Sequence, residues 1–175
     1  MCILGVSLFY SFAAQRTTES FSFLIKSLNL RLKMSINKIQ DQIIEEFSMF
    51  EDWMDRYNYL IELGQDLPEI DPKYKTEDNL ISGCQSKVWL NADYENGNMK
   101  FTADSDAIIV KGIVALLIRV MNNQPASEIV NTDLYFIDKI GLKENLSPTR
   151  SNGLVAMVKK MKLYALAYQS KHGQN

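Results

Sequence analysis

Lys87-Val88-Trp89-Leu90-Asn91-Ala92-Asp93-Tyr94, then Glu95-Asn96-Gly97-Asn98, then Met99-Lys100-Phe101-Thr102-Ala103 is the stretch whose reading decides the fold. Val88, Leu90 and Ala92 alternate on one side of the first run and Trp89 lies opposite, which is the two-residue period of a half-buried strand. Asn96-Gly97 tolerates the positive φ of a tight turn, so the two runs read as an antiparallel hairpin. Downstream, Ser105 is expected to cap a buried helix over Ala107 to Met121, the most apolar segment of the chain. Pro125 suits the first turn of a short helix over Ala126 to Val130. Tyr135 to Ile140 reads as another short helix ending at Gly141. Ser147-Pro148 reads as a turn, and Asn152 to Tyr168 as a final amphipathic helix. Upstream, Ser35 can cap a helix with Ile36, Ile39, Ile43, Ile44 and Phe47 at helical spacing. A second helix carries Phe50, Trp53, Met54, Tyr57, Leu60 and Ile61, with Gly64 as its expected stop. Pro68 and Pro72 then bar a continuous helix. This order is that of an α+β domain, a small antiparallel sheet covered by helices.

With 175 residues there is room for one such domain, expected over residues 34–172. Residues 1–33 stand apart. The apolar run Cys2 to Ala14 has no basic residue before it, unlike a secretory signal, and is too short to span a bilayer. Met34-Ser35 opens a clean helical pattern, so residues 1–33 read as an extension, from a translation start placed too far upstream or as a disordered segment. A formal net charge of -2 gives no basic footprint for nucleic acid. Two cysteines, Cys2 and Cys84, are too few for a disulfide scaffold and fit a reducing, cytoplasmic setting.

Several chemistries lack their parts. The single histidine, His172, lies near the C-terminus and reads as a tail residue, which argues against a Cys–His or Ser–His pair. One domain cysteine without a nearby histidine does not make a zinc site, an iron–sulfur site or a Cys-x-x-Cys dithiol. No Gly-rich phosphate loop occurs. What remains is Ile81-Ser82-Gly83-Cys84-Gln85-Ser86-Lys87. Gly83 lets the chain turn sharply and present the thiol at a loop tip. Gln85 and Ser86 can donate hydrogen bonds to a sulfur anion and Lys87 adds positive charge, which would favour the nucleophilic thiolate. On these local features alone, a lone cysteine that merely packs stays open beside the functional reading.

A wider pattern goes further. Tyr59-Leu60-Ile61-Glu62-Leu63-Gly64, Leu67-Pro68, Gly83-Cys84-Gln85-Ser86-Lys87-Val88-Trp89, Ser105-Asp106-Ala107-Ile108-Ile109-Val110-Lys111-Gly112 and Leu146-Ser147-Pro148-Thr149-Arg150-Ser151-Asn152-Gly153-Leu154 resemble, in order and spacing, the SufE family of sulfur-acceptor proteins. The resemblance covers about residues 35–170. It implies a SufE/IscU-like fold and a carrier that takes persulfide sulfur onto Cys84 from a SufS-like cysteine desulfurase and stimulates it. The sulfur would pass to a SufBCD-like iron–sulfur scaffold complex. The chain would then be a transpersulfidation partner rather than a stand-alone enzyme. It would need no metal or cofactor of its own, pyridoxal phosphate belonging to the desulfurase. Neither nucleic acid nor membrane is expected as a partner. The resemblance also implies that Cys84 is sheltered in the free protein and swings out in the complex, with Asp106 and Arg150 near the active loop or docking surface. Three alternatives stand beside this: a non-covalent adaptor of the desulfurase, sulfur delivery to tRNA modification, and a lone-cysteine redox sensor.

Overall fold

The computed structural model describes residues 34–172, and the expectations for residues 1–33, Cys2 among them, lie outside the described residues. Helix α1 spans Ile36–Ser48 and α2 spans Trp53–Gln65. Ser35 caps α1 through its side chain as expected, and Asp52 caps α2 by accepting the Asp55 N–H. Two 3₁₀ turns, Pro72–Tyr74 and Glu77–Asn79, lead to strands β1, Val88–Glu95, and β2, Asn98–Ser105. Then follow α3 (Ile108–Met121), α4 (Ala126–Asn131), α5 (Phe136–Lys139), α6 (Leu142–Asn145) and α7 (Pro148–His172). The fold is α+β with a two-stranded antiparallel sheet among helices.

The hairpin forms in the register its sequence dictates. Glu95 pairs with Asn98 around Asn96 (φ 51°) and Gly97 (φ 84°), both left-handed as a two-residue hairpin turn requires. Val88, Leu90 and Ala92 are buried together with Met99, Phe101 and Ala103 of β2. Both edges of this small sheet are covered. Leu80 bridges to Trp89 on the β1 side, while the Met99 amide donates to Gln124 O and the Phe101 amide to the Asn122 side chain on the β2 side. Buried Ile113, Leu116, Leu117, Val120 and Met121 of α3 complete the central layer.

Gly64 is not a helix stop. It lies inside α2, buried, where a Cβ would come within 2.8 Å of the Gly112 amide nitrogen on α3. A Cβ on Gly112 would in turn collide with Leu60 O. The missing side chains let two helix backbones meet, so Leu60 and α3 pack without a gap. Ser105 also differs from expectation. It ends β2, its hydroxyl accepts the Ala107 N–H, and Ala107 itself occupies the cap of α3. Pro148 opens α7 instead of a turn, since a proline in the first helical turn loses no hydrogen bond. This adds a turn of helix before Asn152 and puts Thr149 and Arg150 on α7.

Candidate functional site

The segment from Ile81 to Val88 is a loop with a closed neck. The Ile81 amide donates to Val88 O at 2.9 Å, directly beside the Leu80–Trp89 bridge. At its far end the Lys87 amide donates to Asp106 Oδ1 at 3.0 Å, and the Asp106 amide donates back to Lys87 O at 3.2 Å. Asp106 is therefore a clasp on the loop's base, not a charge in the first turn of α3. Two residues earlier, Asp104 braces the same region. Burial works to raise its pKa, but hydrogen bonds from Lys75 (2.7 Å) and Lys111 (3.0 Å) and from the Ser105 amide prevail and hold it below the usual range.

Within the loop, Gly83 has φ 93°, a conformation closed to most residues, and it turns the chain back over α7. Cys84 follows, half-buried, and is a free cysteine. Its thiol donates to Gly153 O of α7 at 3.7 Å, a long contact even for sulfur. Beside it is a recess of about 80 Å³. Gln85 and Ser86 line it from the loop, Val110 and Ile113 from α3, and Thr149, Arg150, Gly153 and Met157 from α7. The structure thus brings together Gly83, Cys84, Gln85, Ser86 and Arg150. Lys87 is exposed and held at its backbone by Asp106.

The expected thiolate-favouring surroundings are not what this conformation provides. Burial alone pushes the Cys84 thiol pKa up, so the sulfur here is a protonated, poorly nucleophilic thiol. Among the described residues its hydrogen bond is the one it donates. Arg150 lies exposed at the wall of the recess and forms no ion pair among the described residues. No group of three or more His, Cys, Asp and Glu among the described residues could hold a metal ion. No described helix is long and apolar enough to cross a membrane.

Gly153, Thr149, Met157 and Val110 were not expected as site residues. For Gly153 a signal existed. A glycine inside a helical pattern is disfavoured by about 1 kcal/mol relative to alanine, which marks a close approach.

Residues 41–165 match the family profile described as SufE, Fe-S metabolism associated domain. An uncharacterized SufE-like protein of Rhizobium etli is 50% identical over 127 residues, which is 70% of this chain and 86% of that protein. One from Rhizobium meliloti is 43% identical over 127 residues, 70% of this chain and 91% of that protein. The Arabidopsis thaliana SufE-like protein 1, chloroplastic/mitochondrial, is 36% identical over 135 residues, covering 77% of this chain and 36% of that protein. The solution structure of a hypothetical protein from Thermus thermophilus has the same fold, with a TM-score of 0.64 at 22% identity over 75% of this chain and 96% of the other.

Proposed function

The chain belongs to the SufE family, a membership that ties it to sulfur transfer in iron–sulfur metabolism, and from this premise we propose that Cys84 is a covalent sulfur acceptor for a cysteine desulfurase. The observation that carries the reading is a free cysteine near the tip of a necked loop, held by one long hydrogen bond beside a recess with room for another sulfur atom. The desulfurase, with its own pyridoxal phosphate, would present a cysteine persulfide. Cys84 gives up its proton more readily as the loop leaves its seat and burial no longer opposes the charge. The thiolate then attacks the outer sulfur of that persulfide. A new S–S bond forms on Cys84, the donor's own S–S bond breaks, and the donor cysteine leaves as a thiolate that takes up a proton. No net oxidation occurs, as in thiol–disulfide exchange.

The loaded loop returns to its seat, where Arg150 at the recess wall offsets charge on the outer sulfur and the Asp106 clasp fixes the loop's base. Delivery follows by the same exchange to an iron–sulfur scaffold complex, in a cytoplasmic setting. The raised pKa of the seated thiol supports this division of labour, because an unloaded carrier whose thiol stays protonated is less open to oxidation and to stray disulfides.

Intact mass spectrometry after mixing with a SufS-type desulfurase and cysteine tests the reading. The chain should gain one sulfur atom, removable by reductant. Cys84→Ser should gain none and fail to stimulate the desulfurase. Stimulation that survives in Cys84→Ser, without any mass gain in the unaltered chain, would instead mean a non-covalent adaptor.

A further inference from the structure

Gly153 is buried inside α7, a place where alanine would make the better helix. A Cβ built there meets Cys84 before anything else. Its three nearest heavy atoms are Cys84 Sγ at 3.3 Å and Cys84 Cα and Cβ, each at 3.9 Å. The carbonyl of the same glycine receives the Cys84 thiol. The loop also lies over α7 next to Ala156, whose Cβ would stand 3.7 Å from a Cβ on Gly83. Gly64 and Gly112, by contrast, avoid clashes between one backbone and another.

We propose that Gly153 is a positioning residue for Cys84, and that its absent side chain forms the seat that keeps the sulfur against α7 in the free protein. A methyl group at 3.3 Å is tighter than ordinary van der Waals contact. One of the two parts must yield, and the loop, held near the sulfur by one long hydrogen bond, yields before a 25-residue helix. Gly153→Ala therefore moves the sulfur off its seat by a few tenths of an ångström, weakens its bond to the Gly153 carbonyl and lessens the burial that raises the thiol's pKa. The free protein becomes more reactive without a partner.

The consequence for sulfur transfer rests on the carrier reading above. A loaded Cys84 off its seat is open to any small thiol RSH, which attacks the inner sulfur. That reaction gives the mixed disulfide R–S–S–Cys84 and releases H₂S. Gly153 thus separates a carrier that waits for its recipient from one that leaks.

The test needs no sulfur donor. Alkylation of the free protein by iodoacetamide at neutral pH should be several-fold faster in Gly153→Ala, because a sulfur moved off its seat is easier to reach and less buried. An unchanged rate in a folded variant overturns the proposal. A double-mutant cycle read by Tm covers the case of a poorly folding variant. Gly153→Ala should raise Tm more in a Cys84→Ala background than in the unaltered chain, because there the methyl group meets no sulfur. Equal shifts overturn the proposal, as does failure of both variants to fold. A fold restored by Cys84→Ala supports it. Neither arm involves a desulfurase, so a failed mass-gain experiment and a failed seat experiment are told apart.

Discussion

Gly112 on α3 lies against Leu60 of α2, and Gly153 on α7 lies against Cys84. Each glycine gives up a side chain so that another part of the chain can come close. At the α2–α3 crossing, what comes close is backbone, fixed on both sides by regular helices and by buried Leu60 and Ile113. Neither side can give way there. At Cys84, what comes close is a side chain on a loop, met by one long hydrogen bond and an open recess. The first contact makes a frame; the second makes a seat that can be left. The same residue type serves rigidity or release according to what stands opposite it.

The contrast breaks first at the frame. Gly112→Ala should lose about 3 kcal/mol or more of stability in urea unfolding, because its Cβ has no room against Leu60 O and neither helix can shift alone. A loss below about 1 kcal/mol, the low end for overpacking a core, would show the crossing to be as pliable as the seat. At the loop, Gly83→Ala should cost about 1–2 kcal/mol from the positive φ, since no close contact adds to it. A cost equal to that of Gly112→Ala would make the loop part of the frame.

The smallest effect sharpens the difference by pH. Burial raises the Cys84 pKa above the ordinary thiol value of 9.0. The folded protein therefore keeps a proton that the unfolded chain releases, and stability falls as pH rises through the folded value. Above about pH 9 the unaltered chain should lose Tm faster than Cys84→Ala. Parallel slopes would mean that the seat does not bury the sulfur.

The frame was largely legible in the sequence. Alternation at Val88, Leu90 and Ala92 and the Asn96-Gly97 turn are local signals, and the register followed from them. Gly64 was misread because a glycine near the end of an apolar pattern serves equally as a stop or as a close contact. Only Gly112, distant in sequence, decides between the two. Pro148 was misread for a similar reason, since proline suits both a turn and a first helical turn. The Cys84 loop was found by its glycine and its family pattern. The state of the sulfur was not, because nearby polar residue types suggest stabilising donors whereas burial depends on α3 and α7 packing over the loop. Asp106 became intelligible only once its reciprocal bonds with Lys87 were seen.

The bond from Ile81 to Val88 also limits how far the loop can travel. Cys84 is three residues from Ile81, and a chain that short spans about 10 Å at full stretch. With both ends anchored, the sulfur can move out and back but cannot wander. Any protein exchanging sulfur with it must bring its own reacting atom almost to this surface, on a projecting arm or at the mouth of a shallow cleft. The fold thereby screens its correspondents by their shape before any bond is made.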